Sequence, residues 1–296
     1  MSTSADLLCL AAIILIAWLT GCGLLAALML IPKTRGRIHG LWPLMLSEAG
    51  ILLAGTLPWL LPQPVLGLAL AIAAGRIGYE SGAVNGGRVL PQAGSIGACL
   101  LIGIAGMAWF VDPAAWPMGL AVVALLLAST ALVTSRRPPL RWVWRFLVFP
   151  ALPFALFVFA ACRLDVAFIF VLSLLLVEIF DSFSLLGGRL IGKRPLVPRL
   201  SPRKTWEGLA VGLLAVGLSA FAVAAVLDLK WLVAAAVAGA ATAGAIAGDL
   251  MASAAKRRAG VKDYPAILPI QGGLLDIMDA WIVAGPLAVF TALLLQ

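Results

Sequence analysis

Residues 206–227 read WEGLAVGLLAVGLSAFAVAAVL, a stretch in which Glu207 is the single charged residue. A helix that crosses the hydrocarbon core of a bilayer needs about 20 predominantly apolar residues, so this stretch predicts a transmembrane helix. Similar runs lie at approximately 7–31, 41–61, 65–80, 95–111, 117–135, 143–162, 164–187, 231–248 and 277–296. The sequence therefore predicts an all-α, polytopic helical integral membrane protein with about nine or ten transmembrane helices.

The composition of the whole chain agrees with this interpretation. Of its 296 residues, 63% are hydrophobic and 11% are charged, and the mean hydropathy is +1.09. Soluble domains are about 45–50% apolar and about 25% charged, so a soluble globular enzyme is excluded. A disordered chain and a disulfide-stapled chain are excluded as well, because the first has fewer aliphatic residues and the second more cysteine. The four cysteines lie in apolar runs, and we interpret them as core side chains: Cys9, Cys22, Cys99 and Cys162.

Basic residues are concentrated in alternate connections between the predicted spans. The net charge is +8, and 19 of the 21 Lys and Arg residues fall in one set of connections, against Arg163 and Lys230 in the other. Because cytoplasmic loops are enriched in Lys and Arg, we place the 19 on the cytoplasmic side and both termini outside. This pattern indicates membrane orientation and not nucleic-acid binding. No basic segment precedes the first span, which we interpret as a retained anchor.

Polar residues are distributed unevenly along the chain. Residues 1–163 are largely aliphatic, whereas most of the unusual polar residues follow Glu178. We therefore predict an N-terminal region of transmembrane helices, 1–163. A C-terminal transmembrane region, 164–296, carries the candidate site and two cytoplasmic loops, 188–205 and 249–276.

Five carboxylates are predicted at one depth, near the cytoplasmic interface. Glu178 and Asp181 lie three residues apart on one helix face, Asp249 lies at the predicted end of a span, and Asp276 and Asp279 repeat the three-residue spacing. Ionisable groups in membrane helices are costly, so they are functional candidates. The alternative is that each is a helix-end charge or pairs with a neighbouring Arg.

The first loop contains Ser201-Pro202-Arg203-Lys204-Thr205-Trp206-Glu207-Gly208. Ser201 and Pro202 have the character of an N-cap and a first helical residue. A helix N-terminus beside two cations, here Arg203 and Lys204, is suited to phosphate binding. The alternative is a basic loop that only enforces topology.

The second loop reads Leu268-Pro269-Ile270-Gln271-Gly272-Gly273-Leu274-Leu275-Asp276 near its end. A glycine pair allows the backbone to approach a ligand closely. Carboxylates are suitable ligands for Mg²⁺, which also binds substrate phosphates. Carboxylates, cations and glycines on one side of a membrane favour phosphoryl or nucleotidyl transfer.

These motifs together resemble the CDP-diacylglycerol synthase family, also called phosphatidate cytidylyltransferases. The resemblance covers approximately residues 178–285 and rests on segments in a fixed order: 181–193, 201–208, Gly248-Asp249-Leu250, Lys256-Arg257, Gly260-Val261-Lys262-Asp263 and 268–279. It implies a membrane enzyme of phospholipid biosynthesis that joins CTP to phosphatidate, giving CDP-diacylglycerol and pyrophosphate.

The resemblance also implies roles for individual residues. The metal site would bind Mg²⁺ through Asp249 and Asp276, with support from Asp181 and Asp279, and a second, monovalent cation is a further candidate. Catalytic roles fall on Asp249, Asp276, Lys262 and Asp279, and Asp263 would be a structural or metal-site partner. Substrate-binding roles fall on Ser201, Arg203, Lys204, Thr205, Lys256, Arg257, Gly272 and Gly273. The family further implies a homodimer whose active site opens to the cytoplasm and inner leaflet.

Three positions depart from the family pattern. Gln271 stands where a His is usual, Ile277 where an Arg follows the metal-binding Asp, and Ala280 where a Ser follows the last Asp. A Gln cannot become charged, and an Ile cannot supply the missing cation, for which Arg257 or Arg258 is a candidate replacement. Two alternatives therefore stay open: the same chemistry on another lipid phosphate or nucleotide, and a non-catalytic protein that binds or transports a lipid phosphate. Short loops suggest a bacterial inner membrane.

Overall fold

The computed structural model describes residues 4–86, 91–110, 138–198, 200–268 and 271–295. Its helices are α1 Ser4–Met29, α2 Pro32–Ile38, α3 Trp42–Leu60, α4 Gln63–Gly86, α5 Ala93–Phe110, α6 Pro138–Phe146, α7 Leu152–Ala161, α8 Ala167–Ile191, α9 Trp206–Val226, α10 Trp231–Ala259, α11 Leu274–Met278 and α12 Trp281–Leu294. Short helical turns, at His39–Leu41, Leu147–Ala151 and Leu164–Val166, connect some of them.

Seven helical segments in the described part of the chain are long and apolar enough to cross a membrane. They are Trp42–Leu60, Ala93–Phe110, Trp142–Ala161, Ala167–Ile191, Trp206–Val226, Trp231–Ala259 and Leu274–Leu294, with a shorter apolar helix at Trp18–Met29. The prediction of a polytopic helical membrane protein is confirmed. The predicted span 65–80 lies in α4, which is not among the seven, and the predicted span 117–135 lies outside the described residues.

The chain forms two compact units, each assembled from separate segments of sequence. The first comprises the described parts of 1–60, 164–246 and 287–296, and the second those of 61–163 and 247–286. The sequence regions 1–163 and 164–296 were predicted from composition, and this division stays a prediction.

In the first unit, α8 and α9 pack closely because glycines line their contact. A Cβ atom at Gly187 would lie 2.7 Å from Cβ of Val211, and one at Gly212 would lie 2.8 Å from the carbonyl oxygen of Phe180. Residues 170–177 of α8 are all buried, as expected of a helix that is hydrophobic on every side. Small residues at such contacts let helix backbones approach in a membrane, where packing drives association.

In the second unit, close packing at glycines also joins α4 to α5. Gly78 and Gly82 of α4 lie directly against the backbone of Gly97 and Ala93 on α5, where a Cβ atom would overlap the carbonyl oxygens. The spacing of four residues between Gly78 and Gly82 places both on one face of α4. Helix α4 therefore has a fixed position on α5, which matters because α4 also contacts the candidate site.

A two-stranded hairpin replaces the helix start predicted at Ser201. Strand β1, Pro195–Val197, pairs antiparallel with β2, Ser201–Thr205, with Val197 opposite Ser201. The prediction that Ser201 is an N-cap followed by a helical Pro202 is wrong. Helix α9 begins at Trp206, and its N-cap is Thr205, whose hydroxyl accepts a hydrogen bond from the Gly208 N–H at 3.1 Å. The β pairing satisfies the backbone that the prediction had assigned to a helical turn.

Helix α10 also extends further than predicted. The apolar run ends near 248, but the helix continues to Ala259, so Asp249 and Lys256 are helical and not part of a loop. A helix of 29 residues is about 43 Å long, which exceeds the roughly 30 Å hydrocarbon core. The charged residues therefore mark the end of the apolar span, while the helix continues beyond it.

Candidate active site

The centre of the second unit is an ion pair between Lys256 of α10 and Asp276 of α11. Lys256 Nζ lies 2.6 Å from Asp276 Oδ1, and the two side chains are only 11% and 7% exposed. Lys256 follows Asp249 and Ser253 at spacings of seven and three residues, so α10 presents all three on one face. This burial makes the pair sensitive to the loss of either partner.

The second oxygen of Asp276 is held by the backbone. Asp276 Oδ2 accepts hydrogen bonds from the N–H groups of Tyr264, at 2.8 Å, and Gly273, at 3.0 Å. The bond to Gly273 is the half of a capping box in which a third-position carboxylate reaches back to the start of its own helix. We call residues 264–276 the Asp276 loop, and its described residues Tyr264 and Gly273 hold this carboxylate.

The glycine pair makes this arrangement possible. Gly272 has φ of +89°, a left-handed conformation, and a Cβ there would lie 2.6 Å from Asp276 Oδ2. A Cβ at Gly273 would lie 2.6 Å from Oε2 of Glu80 and 2.8 Å from Cβ of Tyr264. The groups that approach this pair are side chains of the protein itself, and the approach to a ligand stays a prediction.

Asp249 and Asp279 belong to the same unit as Asp276. Gly248 lies against the backbone of Asp279 and Ala280, with no space for a Cβ, so α10 brings the neighbouring Asp249 close to that segment. Asp279 is 7% exposed. These two carboxylates and Asp276 are thus placed on facing segments of one unit.

The carboxylates of this unit are hard oxygen ligands of the kind that Mg²⁺ binds. Among the residues that the structure describes, no three His, Cys, Asp or Glu side chains gather around one point. Mg²⁺ is usually bound through one or two carboxylates, with waters and substrate phosphates completing its shell. Carboxylates such as Asp249, Asp276 and Asp279 are the type of side chain that could supply the protein ligands of such an ion.

Three residues of this unit escaped the sequence analysis. Arg76 and Glu80 of α4, which interrupt a predicted span, make hydrogen bonds to the Asp276 loop. Their spacing of four residues with opposite charges was the one available signal. Tyr264, 2% exposed, lies under Lys256, whose Nζ is 5.5 Å from the ring centroid.

The Tyr264 hydroxyl stays protonated in this environment. Burial raises the pKa of Tyr264 above its usual range, and the negative charges of Asp279, Asp276 and Glu80 add to the rise. The residue therefore offers a neutral hydroxyl and an aromatic face beside the Lys256 ammonium.

Lys262 and Arg257 are more exposed than Lys256. Lys262 lies 3.9 Å from Asp263, and these side chains are 71% and 60% exposed. Arg257 donates from Nη1 to the carbonyl oxygen of Val261 at 3.0 Å, at the end of α10. Of the three predicted cations of this segment, the structure brings Lys256 to Asp276. The catalytic role of Lys262 stays a prediction.

The remaining predicted residues belong to the first unit. Asp181 is half-buried in α8, and Ser201, Arg203, Lys204 and Thr205 form β2. The hairpin is attached to α9 by Glu207, whose Oε2 accepts from the backbone N–H groups of Lys193 and Arg194 at 3.0 and 3.1 Å. A basic strand followed by a capped helix is present, although its geometry differs from the predicted helix start.

The three departures from the family pattern lie on the same segment as Asp276. Ala280 is buried against Gly248, whereas Gln271 and Ile277 are half-buried. Ile277 lies on α11, where its N–H donates to the Gly273 carbonyl oxygen at 3.3 Å. The hydrogen bonds that hold the Asp276 carboxylate come from Tyr264 and Gly273, so they do not depend on the side chain at position 277.

Fold and site together define a polytopic membrane protein with a buried Lys–Asp pair, a glycine-dependent loop and further carboxylates at one end of a long helix. A sequence profile of the cytidylyltransferase family matches residues 37–295, and the chain belongs to this family. The match includes most of the N-terminal spans, so it extends well beyond the motifs in residues 178–285.

Individual relatives carry a more specific name. The chain is 27% identical over 207 residues to phosphatidate cytidylyltransferase of Rickettsia bellii, covering 64% of this chain and 88% of that protein. It is 41% identical over 112 residues to phosphatidate cytidylyltransferase 5, chloroplastic, of Arabidopsis thaliana, covering 36% of this chain and 27% of the relative. A third relative, from Mycobacterium leprae, is 42% identical over 95 residues, covering 31% and 30%. The chain thus spans about a quarter of the length of the chloroplastic relatives that it matches.

Proposed function

We propose that this protein transfers CMP from CTP to phosphatidate or a related lipid phosphate, releasing pyrophosphate and forming CDP-diacylglycerol or its analogue. The observation that carries the proposal is the buried Lys256–Asp276 pair, held by a loop that needs both of its glycines, in a chain of the cytidylyltransferase family. The names of the relatives support phosphatidate as the acceptor.

The proposed reaction is a single displacement at phosphorus. An oxygen of the lipid phosphate forms a bond to the α-phosphorus of CTP, and the bond from that phosphorus to the bridging oxygen of the β-phosphate breaks. The electron pair leaves with pyrophosphate. Such reactions depend on positioning and on neutralising phosphate charge, which cations and fixed dipoles supply.

Lys256 is suited to release the Asp276 carboxylate and bind a nucleotide phosphate instead. In the structure its ammonium contacts Asp276, and both groups are largely removed from water. A nucleotide phosphate that enters the site competes with Asp276 for this ammonium, because both are anions that accept its hydrogen bonds. As Lys256 turns to the phosphate, Oδ1 of Asp276 becomes available, while Tyr264 and Gly273 continue to hold Oδ2.

Mg²⁺ is the proposed cofactor, and Asp249 and Asp276 are the residues that would hold it, with Asp279 beside them. When bound with the nucleotide, the ion neutralises charge on the phosphates and makes pyrophosphate a better leaving group. The metal role of Asp181, the phosphate-binding roles of Ser201, Arg203, Lys204 and Thr205, and a second, monovalent cation rest on the family resemblance and stay predictions.

The membrane setting follows from the same proposal. CTP is water-soluble and the lipid phosphate lies at the bilayer surface, so the site belongs at an interface. The distribution of Lys and Arg supports the cytoplasmic side, and the short loops support a bacterial inner membrane. A homodimer is proposed from the resemblance alone.

The decisive experiment uses purified protein with labelled CTP, phosphatidate and Mg²⁺. We expect labelled lipid from the wild type and loss of product with EDTA. Asp276→Asn should abolish turnover, because an amide removes the charge and places an NH₂ group against Lys256 or the backbone donors. The matched control is Asp228→Asn at an exposed turn, where φ is 51° and Asn is equally tolerated.

A folded wild type that forms no labelled lipid would contradict the proposal, and three other outcomes would contradict parts of it. Undiminished turnover by Asp276→Asn would remove Asp276 from the reaction. Labelled lipid formed only with dCTP, UTP or ATP would show that the nucleotide differs while the chemistry is kept. Binding of phosphatidate without nucleotide binding would instead support a lipid-phosphate carrier.

A further inference from the structure

Glu80 of α4 is fully buried, and both of its carboxylate oxygens contact the Asp276 loop. Oε1 accepts a hydrogen bond from the N–H of Leu274 at 2.9 Å, and Oε2 accepts from the N–H of Leu275 at 2.8 Å. These N–H groups belong to the first turn of α11, where helix donors lack partners within the helix. Glu80 therefore caps α11 from a different helix.

Arg76 attaches the other end of the same loop. Its Nη2 donates to the carbonyl oxygen of Pro265 at 2.6 Å, and its Nε lies 2.7 Å from Glu80 Oε1. Arg76 and Glu80 are one turn apart on α4, so one helix face holds both the beginning and the end of the Asp276 loop. We call these two residues the α4 clamp.

The α4 clamp acts next to the groups that orient Asp276. Pro265 follows Tyr264, and Leu274 follows Gly273, and the N–H groups of Tyr264 and Gly273 are the donors to Asp276 Oδ2. Of the three residues held by the clamp, Pro265 and Leu274 are therefore adjacent in sequence to a donor that holds the carboxylate, and Leu275 directly precedes Asp276. Since α4 is fixed on α5 by Gly78 and Gly82, the clamp has a rigid base.

We propose that Arg76 and Glu80 are positioning residues for the reaction, which fix the Asp276 carboxylate without touching substrate. This inference rests on the proposed function. A misplacement of about 1 Å can lower a rate about 100-fold even when it originates far from the reacting atoms. The clamp thus gives the N-terminal half of the chain a direct part in the site.

The principal variant is Glu80→Gln, which keeps an oxygen acceptor but places an NH₂ group against one of the two backbone donors. We expect kcat to fall about 100-fold with KM for CTP nearly unchanged. Arg76→Lys keeps the charge but offers one donor nitrogen where Arg76 uses two, Nε and Nη2, so a smaller fall in kcat is expected. The matched control is Ser81→Ala, the next residue of α4, equally buried and hydrogen-bonded to Asn85 of its own helix.

Hydrogen exchange, resolved by fragmentation mass spectrometry, provides a measurement that needs no activity. In Glu80→Gln we expect faster exchange at Leu274 and Leu275, and also at Tyr264 and Gly273, whose donors serve Asp276. Ser81→Ala should leave these four amides unchanged even if it lowers the melting temperature.

The outcomes separate this inference from the proposed function. A folded wild type that forms no labelled lipid would contradict the proposed function, and the amides of Tyr264 and Gly273 would still report whether Glu80 orients Asp276. Unchanged exchange at those two amides in Glu80→Gln would overturn the clamp. If Glu80→Gln shows faster exchange but an unchanged kcat in an active enzyme, the positioning role is overturned. The same holds if Ser81→Ala lowers kcat as much as Glu80→Gln does.

Discussion

Gly272 and Gly273 have a structural role that the sequence did not indicate. The sequence predicted a close approach to a ligand, and in the structure the groups that lie against the pair are the side chains of Asp276 and Glu80. Both carboxylates lie where a larger residue would place its Cβ. The two glycines are thus part of the device that holds Asp276.

We expect Gly273→Ala to lower the free energy of unfolding by about 1–3 kcal/mol, the usual cost of overpacking a tight site. Transferase activity should fall with it, because the new methyl group would displace Glu80 or Tyr264. Thermal unfolding in detergent and the labelled-lipid assay measure the two effects.

The control for this prediction is Gly217→Ala in α9, where a Cβ would meet no described atom within 4 Å. It should be neutral or stabilising by up to about 1 kcal/mol, because Ala favours helix more than Gly. Equal behaviour of the two variants would show that the space at Gly273 is unimportant.

Residue-level reasoning found candidates where the signal was local, and their roles in the reaction stay predictions. The sequence identified Asp249, Lys256, Asp276 and Asp279, because charges in an apolar chain are conspicuous. It did not connect Glu80 with Leu274, since these residues are 194 positions apart and no pattern joins them. Long-range contacts of this kind are set by helix packing, which sequence periodicity does not report.

Among the elements, the β1–β2 hairpin and the start of α9 differ most from prediction. Ser201-Pro202 has the composition of a helix start, but β pairing with Val197 holds that segment extended and moves the cap to Thr205. Propensity is a weak guide where tertiary pairing competes with it. The helix itself was predicted correctly because its apolar run is long.

Thr205→Ala should lower the stability of the folded protein by about 1 kcal/mol through loss of the N-cap, and Thr205→Ser should restore it. Ser201→Ala should change stability by less than about 0.5 kcal/mol, because Ser201 caps no helix. Denaturant or thermal unfolding of these three variants provides the measurement. The reverse order for Thr205→Ala and Ser201→Ala would return the helix start to Ser201.

At the scale of the whole molecule, hydropathy predicted the fold class because a bilayer imposes a strict length on apolar helices. Hydropathy was less informative about α4, because Arg76 and Glu80 interrupt its apolar sequence. The assembly of two units from separate segments had no signal in the sequence, because it depends on which helices pack together.

The orientation of α10 provides a test of the predicted topology. Lys230 precedes the helix and Arg258 lies in its last turn, both exposed, and about 43 Å of helix separates its ends. With Cys9, Cys22, Cys99 and Cys162 replaced by Ala, we expect an impermeant maleimide to label Lys230→Cys in intact spheroplasts. Arg258→Cys should be labelled only after permeabilisation.

The opposite labelling pattern would place the Asp276 loop outside the cell, where CTP is absent. Labelling of both cysteines in intact spheroplasts would mean that α10 does not cross the membrane. Either result would contradict the orientation inferred from the 19 basic residues.

The separation between Glu80 and its partners also has a consequence for biosynthesis. At about 5–20 residues per second, a ribosome needs roughly 10–40 s to add the 194 residues between Glu80 and Leu274. During that interval Glu80 is made but the amides of α11 are not. Arg76, one turn away, is present from the moment α4 forms, so the nascent chain has a counter-charge for this carboxylate before the loop arrives to complete its contacts.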